Sequence, residues 1–300
     1  MKKIVQLTIV LFLSLVVMGN ETMAEKMVVI DAGHGGKFSG TCGYSGRITG
    51  YCEKDANLEV SLKLKEVLES KGISVFLTRS TDMEFADFLR DEEGNTEGGD
   101  FSKRMELANN YVGENHANAV FISIHHNANP TNPFIRGIET YYYDGLNHFK
   151  PEYPHDPLQM TYLQDNKRLA EEIQMNLVEN LKQPNRKVHN DQSFYVIRNA
   201  KMPAVLVELG FMINRHEEKL IKTSDYQQTA ANSIADAVEQ YFKVYEVYSS
   251  THEKLGAFSK ESQALKFAEE VKSATTVINK YNQKVVFESN AKATSQVKLP

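Results

Sequence analysis

Short apolar runs alternating with stretches of helical spacing set the layout of this chain. Met27 to Ile30 is an unbroken apolar run, predicts a buried strand, and leads straight into Asp31-Ala32-Gly33-His34-Gly35-Gly36. From Asp55 to Lys71, Leu58, Leu62, Leu64, Val67 and Leu68 recur at mostly helical spacing, with Asp55 as the expected N-cap and Gly72 as the stop. Ile73 to Thr78 predicts a second strand, ending at Arg79, and the acidic, Gly-rich stretch from Asp91 to Asp100 reads as a surface loop. A helix is expected over Ser102 to Val112, then strands over Ala119–Ile124 and Ile138–Tyr143. A polar loop, Asn147 to Asp156, precedes a long helix from Leu158 to Leu181; strands follow at Phe194–Ile197 and Ala204–Leu209, and a helix from Asp225 to Tyr245 closes the body. Strands alternating with helices predict a largely parallel sheet covered on both faces. Functional groups of such sheets gather beyond the carboxyl ends of the strands. His34 follows the first strand, His125 follows another, and Glu208 ends a third.

The first 24 residues stand apart from that pattern. Lys2 and Lys3 precede the apolar run Ile4 to Met18, and Thr22-Met23-Ala24 offers small residues at cleavage spacing, the order of a secretory signal peptide. The run is shorter than the roughly 20 residues a membrane-spanning helix needs. No cysteine sits at the junction to carry a lipid. The expectation is therefore an exported protein, extracellular or wall-associated, without stable membrane insertion after cleavage.

Composition narrows the partners. A formal net charge of −5 gives no basic excess for a phosphate backbone, so nucleic acid is not expected. The 41% hydrophobic fraction allows an ordinary core. The two cysteines, Cys42 and Cys52, share one Gly- and Tyr-rich loop. In an exported chain a disulfide is the leading reading, worth about 2–3 kcal/mol in the chain-entropy model; two free thiols or metal ligation are the alternatives.

Four residues suggest chemistry, and three of them have a plain alternative. His34 lies among glycines, where nothing bulky shields the ring, but a lone histidine there is more often part of a turn. His125 and His126 end an apolar strand; side chains alternate, so only one of them is expected to meet His34, and both could be polar strand caps. Glu53 precedes a helix, where a carboxylate also suits the helix dipole. Glu208 differs, because a carboxylate inside Pro203-Ala204-Val205-Leu206-Val207-Glu208-Leu209 is costly unless paired, protonated or metal-bound. Two imidazoles and a carboxylate make a three-ligand zinc site with a position left for water, and a further carboxylate of raised pKa can carry a proton to a leaving amine. These are the parts of metal-assisted amide hydrolysis.

Four stretches, in order, carry a resemblance: VVIDAGHGG (28–36), EKDANL (53–58), FISIHHNA (121–128) and MPAVLVELGFMIN (202–214). Over about residues 27–245 the chain resembles the zinc-dependent N-acetylmuramoyl-L-alanine amidases, cell-wall hydrolases of the amidase type 3 class. Thr78-Arg79 and Arg104, Ala108 and Asn109 also fall where such amidases have similar residues. The resemblance implies one zinc ion held by His34, Glu53 and His125, chosen over His126 by the Ser-Ile-His-x-Asn pattern, with Glu208 as the catalytic glutamate. It implies an α/β fold, a mixed, mostly parallel six-stranded sheet with helices on both faces. The implied reaction is hydrolysis of the amide between N-acetylmuramic acid and L-alanine in peptidoglycan. A zinc peptidase cutting within the stem peptide and a non-catalytic wall-binding protein are the alternatives. Ala32 replaces the family's usual proline and touches no ligand, and the cysteine-bearing loop has no place in the general pattern. A monomer is the expected state.

Residues 246–290 predict a small α+β C-terminal appendage with strands at Glu246–Tyr248, Gly256–Ser259, Thr276–Ile278 and Lys284–Phe287 and a helix from Gln263 to Lys272. It resembles a small βαββ wall-associated module found at the ends of some Gram-positive wall and spore enzymes, and more faintly one half of a septal peptidoglycan-binding repeat. A stabilising appendage packed on the catalytic body is the other reading. Residues 291–300 read as a disordered tail.

Overall fold

The computed structural model describes residues 25–89, 98–281 and 284–289; the expected signal peptide, most of the acidic loop and the tail from 291 to 300 lie outside these. In chain order the body comprises β1 (Met27–Ala32), α1 (Gly46–Thr49), α2 (Glu53–Ser70), β2 (Ser74–Leu77), α3 (Asp100–Val112), β3 (Ala119–Asn127), β4 (Ile138–Tyr142), α4 (Leu163–Leu181), β5 (Asn185–Asn190), α5 (Tyr195–Arg198), β6 (Ala204–Phe211), α6 (Arg215–Ile221) and α7 (Ser224–Tyr241). A second unit follows: β7 (Tyr245–Ser249), β8 (Lys254–Phe258), α8 (Glu261–Glu270), β9 (Ala274–Asn279) and β10 (Val285–Glu288).

The body strands form one six-stranded sheet in the order β2-β1-β3-β6-β4-β5. The four from β2 to β6 pair in parallel, β4 runs antiparallel to β6, and β5 is parallel to β4. Unbroken apolar runs make the central strands because both faces of the sheet are covered. Side chains of a strand alternate between faces, so each run feeds two cores. Val28, Ile30, Ile122, Ile124, Val205 and Val207 join a core that includes Leu64 of α2, Ile173 of α4 and Ile234 of α7. Val29, Phe121 and Leu206 join the other, with Met105 of α3 and Ile197 of α5.

Several expectations shift. Phe194–Ile197, expected as a strand, is instead a turn preceding and forming the helix α5; a short apolar run does not distinguish the two. Here Ser193 N–H donates to Asp191 Oδ1, turning the chain so that Val196 and Ile197 bury as one helical turn. The strand that takes its place is β5, whose sequence NRKVHN is half-buried to exposed on the sheet edge. Asp55 is not the N-cap of α2: Cys52 holds that position, and Asp55 Oδ2 accepts from its N–H at 2.8 Å. The long helix begins at Leu163, after a 3-10 turn over Pro157–Thr161, and α7 ends at Tyr241 rather than continuing to Tyr245. The helix α6 was not anticipated; the side chain of Asn214 caps it by accepting from His216 and Glu217.

The second unit is an antiparallel sheet ordered β10-β9-β7-β8. With β7 included its order is ββαββ, one strand more than a βαββ module. Val247 and Val277 pack on Ala264 and Ala268 of α8 to make a small separate core. Tyr281 joins it to the body through edge contact with Phe242 at 5.0 Å between ring centroids.

Candidate active site

The site sits at the carboxyl edge of β1, β3 and β6. β1 ends in a tight turn through Gly33 to His34, whose φ of 62° lies in the left-handed region that non-glycine residues seldom enter. Two buried arginines hold that turn by its carbonyls. Arg79 donates from Nε to Ala32 O (2.8 Å) and from Nη2 to Gly33 O (3.0 Å). Arg104 donates from Nη1 to Ala32 O (2.8 Å) and from Nη2 to His34 O (2.6 Å). Gly33 is required by close approach, since a Cβ there would lie 2.2 Å from His125 Nε2.

Asp31 supports the clamp from below. Its carboxylate accepts from Arg104 Nη1 (2.9 Å), Thr78 Oγ1 (2.7 Å) and Ser123 Oγ (2.8 Å) while Arg104 Nε reaches Asp100 at 2.6 Å. Burial opposes ionisation of Asp31, but Arg104 and the hydroxyl donors outweigh it and hold its pKa below the ordinary carboxylate value. Removing one partner of a buried ion pair costs about 3–5 kcal/mol. Asp31→Ala is therefore expected to lose that much stability in urea unfolding at pH 7. Because the folded-state pKa is depressed, the contribution is complete above the unfolded value of about 3.9 and is lost as pH falls through the folded one. The gap between variant and wild type should accordingly close in strongly acidic buffer; a constant gap would exclude the charged pair as its source.

Glu53 opens α2, and its Oε1 lies 3.2 Å from His34 Nε2 and 2.8 Å from His125 Nδ1. Burial works against its ionisation, yet the two imidazoles prevail and keep its carboxyl well below the usual range. One ligand-capable atom from each of His34, Glu53 and His125 falls within 4.8 Å of the others. This is a donor set able to hold a metal. The two adjacent histidines part company: His125 turns to Glu53, whereas His126 is fully buried with Nδ1 2.7 Å from Asn57 Oδ1, and burial lowers its pKa to about 4. Asn57 in turn donates to Gly33 O at 3.0 Å.

Glu208 stands beside this cluster. In the β3–β6 ladder it is paired with His125, and in the β4–β6 ladder with Glu139. Among the described residues its Oε2 is buried without a hydrogen-bond partner. Burial first, then the carboxylates of Glu53 and Glu139, push its pKa well above the ordinary value. Glu139 was missed in the sequence, although it carries the same signal as Glu208, a carboxylate inside the apolar and aromatic run IETYYY. It is held by Asn127 Nδ2 (2.7 Å), Tyr141 OH (2.9 Å) and Arg186 Nε (2.7 Å).

A cavity of about 390 Å³ opens over these groups. His34, Glu53, His125 and Glu208 line it, together with Leu89, Phe101, Phe194, Tyr195 and Val196, which supply an apolar and aromatic part of the wall. Such a cleft can seat a partly apolar substrate against a polar reacting centre. The cysteine pair of the loop between His34 and Glu53 is a disulfide.

Comparison with known proteins matches the chain to a family. A family profile described as N-acetylmuramoyl-L-alanine amidase matches residues 28–240, leaving the second unit outside. The germination-specific N-acetylmuramoyl-L-alanine amidase of Bacillus subtilis (strain 168) is 29% identical over 220 residues, 73% of this chain and 81% of that protein. The uncharacterized protein YqiI of the same organism is 34% identical over 225 residues, 74% of this chain and 87% of that one. Among solved structures, the CwlD amidase from Clostridioides difficile in complex with the GerS lipoprotein aligns with a TM-score of 0.57 at 30% identity, over 72% of this chain and 98% of that one. The amidase AmiC2 of Nostoc punctiforme aligns with a TM-score of 0.55 at 30% identity, over 72% and 96% respectively.

Proposed function

The chain belongs to the N-acetylmuramoyl-L-alanine amidase family and is a hydrolase of the amide bond between N-acetylmuramic acid and L-alanine in peptidoglycan, and from that premise we propose that it works through one zinc ion held by His34, Glu53 and His125, with Glu208 as the proton carrier. The observation that carries this reading is the convergence of two imidazoles and one carboxylate within 4.8 Å, beside the buried carboxylate of Glu208. Two nitrogen donors and one oxygen donor fit zinc in a site that keeps a position open.

When bound in such a set, zinc lowers the pKa of a water molecule to about 7 and polarises a carbonyl oxygen. The chain's own residues supply the rest. Glu208 takes the proton of the attacking water and delivers it to the departing L-alanine nitrogen; its raised pKa suits both halves of that transfer. Arg79 and Arg104 keep His34 aimed by gripping the backbone on either side of Gly33. The apolar wall of Phe101, Phe194 and Val196 limits water around the reacting bond.

Action on the wall and the amino-terminal sequence both support a site of work outside the cytoplasm. Among the described residues no helix is long and apolar enough to cross a membrane. The appendage over 246–290 is assigned to wall association on its sequence resemblance alone.

Mass spectrometry of purified peptidoglycan after digestion tests the reading. Intact stem peptides bearing a new L-alanine amine are expected. Fragments cut within the stem would make the protein a peptidase, and an undigested wall with full zinc occupancy would make it a binding protein.

A further inference from the structure

The loop joining His34 to Glu53 is fastened beside one of the ligands. Cys42 directly follows Thr41, Cys52 directly precedes Glu53, and the two sulfurs are bonded across a sequence separation of 10. Thr41 and Glu53 are bonded to each other twice. Glu53 N–H donates to Thr41 O at 2.8 Å, and Thr41 N–H donates to Glu53 Oε2 at 3.0 Å. Next along α2, Lys54 N–H donates to Ser39 O at 3.1 Å.

The two oxygens of Glu53 are thereby divided. Oε2 is spent on the loop amide, and Oε1 faces His34 and His125 and takes a longer bond from the His126 N–H at 3.3 Å. The loop backbone itself touches both ligands. At Gly40, where φ is 64°, a Cβ would lie 2.4 Å from Glu53 Oε2 and 2.7 Å from His34 Cδ2. A chain passing this close sets the orientation of the carboxylate.

We propose that the Cys42–Cys52 disulfide is a positioning element of the metal site, holding the Thr41 amide on Glu53 Oε2 so that Oε1 is presented to the metal. The inference rests on reading His34, Glu53 and His125 as the zinc ligands. The physical reason is local. Thr41 and Ser39 are part-exposed and their bonds to the start of α2 compete with water, so without the covalent link the strap is free to leave, and the carboxylate keeps only the 3.3 Å bond from the His126 N–H to orient it. Groups that orient a ligand without touching the metal are worth about 10–100-fold in metal affinity.

The test compares wild type with the Cys42→Ser/Cys52→Ser double variant. Zinc affinity is measured by competition with a chromophoric chelator, and melting temperature is measured with and without zinc. The expected result is a zinc affinity about 10–100-fold weaker and a smaller rise in Tm on adding zinc. A disulfide that only stabilises the fold would lower both Tm values equally and leave the zinc affinity unchanged, which overturns the proposal. Wild type that binds no zinc would instead bring down the ligand assignment itself. If the double variant does not fold, wild type is reduced with a phosphine and the two thiols are capped with iodoacetamide so that neither can bind zinc. In that reduction the disulfide gains two electrons and two protons while the phosphine is oxidised, taking its oxygen from water. The same weakening is then expected, and unchanged affinity again overturns the proposal.

Discussion

Glu208→Gln is expected to keep its zinc and to release muropeptides about 10²–10⁴-fold more slowly, the range that general acid–base catalysis commands. Glutamine has the shape of glutamate, so β6, buried along its whole length, keeps its packing. What disappears is the capacity to accept a proton. Oε2 of Glu208 has no hydrogen-bond partner within the described protein, and burial together with two neighbouring carboxylates raises its pKa. A group placed so is costly to retain for structure alone. Glu208→Ala should be as inactive, with a further loss of stability from the cavity. Elemental analysis alongside a wall-digestion assay reads both quantities. Full activity in either variant would remove Glu208 from the mechanism, and loss of zinc would make it a ligand.

His34→Ala is expected to lose the metal. Two donors, Glu53 and His125, remain, and a zinc site of this class uses three protein ligands. The fold should survive, because the ring of His34 is part-exposed while its turn is held through the carbonyl by Arg104. Zinc is predicted to fall from one equivalent to a small fraction after desalting, with circular dichroism unchanged and activity falling in proportion. His126→Ala gives the contrast. His126 faces Asn57 and not the cluster, so its loss should cost about 1–3 kcal/mol of stability and leave zinc bound. Equal zinc content in wild type and His34→Ala would exclude His34 as a ligand; zinc loss in His126→Ala alone would move the site to its neighbour.

Much of this was legible because the central strands are apolar without interruption. Met27–Ile30, Ala119–Ile124 and Ala204–Leu209 announced themselves as strands buried on both faces, and their carboxyl ends located His34, His125 and Glu208. The resemblance then joined them to Glu53, which residue chemistry alone left as a helix-start carboxylate. Other features carried no such signature. β5 is a polar edge strand in which only Val188 packs on the core, so its NRKVHN sequence shows neither an apolar run nor a clear alternation. α5 is a single turn whose apolar residues match a strand equally well. The resemblance marked Arg79 and Arg104, but not their task, because they grip backbone carbonyls and a carbonyl leaves no mark on the sequence. Glu139 was readable in principle, but its meaning depends on lying opposite Glu208 in a ladder that only the folded chain reveals.

That ladder constrains how such a protein can diversify. His125 and Glu208 are register partners on adjacent parallel strands, so their backbone separation is the interstrand spacing of about 4.7–4.9 Å. An insertion in a surface loop cannot stretch that interval. The loops at this edge, including residues 128–137 between β3 and β4, can lengthen, shorten or change sequence and alter which wall fragment enters. The gap between His125 and Glu208 stays fixed by main-chain geometry. New substrate ranges are therefore open to grafting at the rim, whereas a one-residue slip of β6 against β3 would turn Glu208 to the opposite face and end the chemistry in one step.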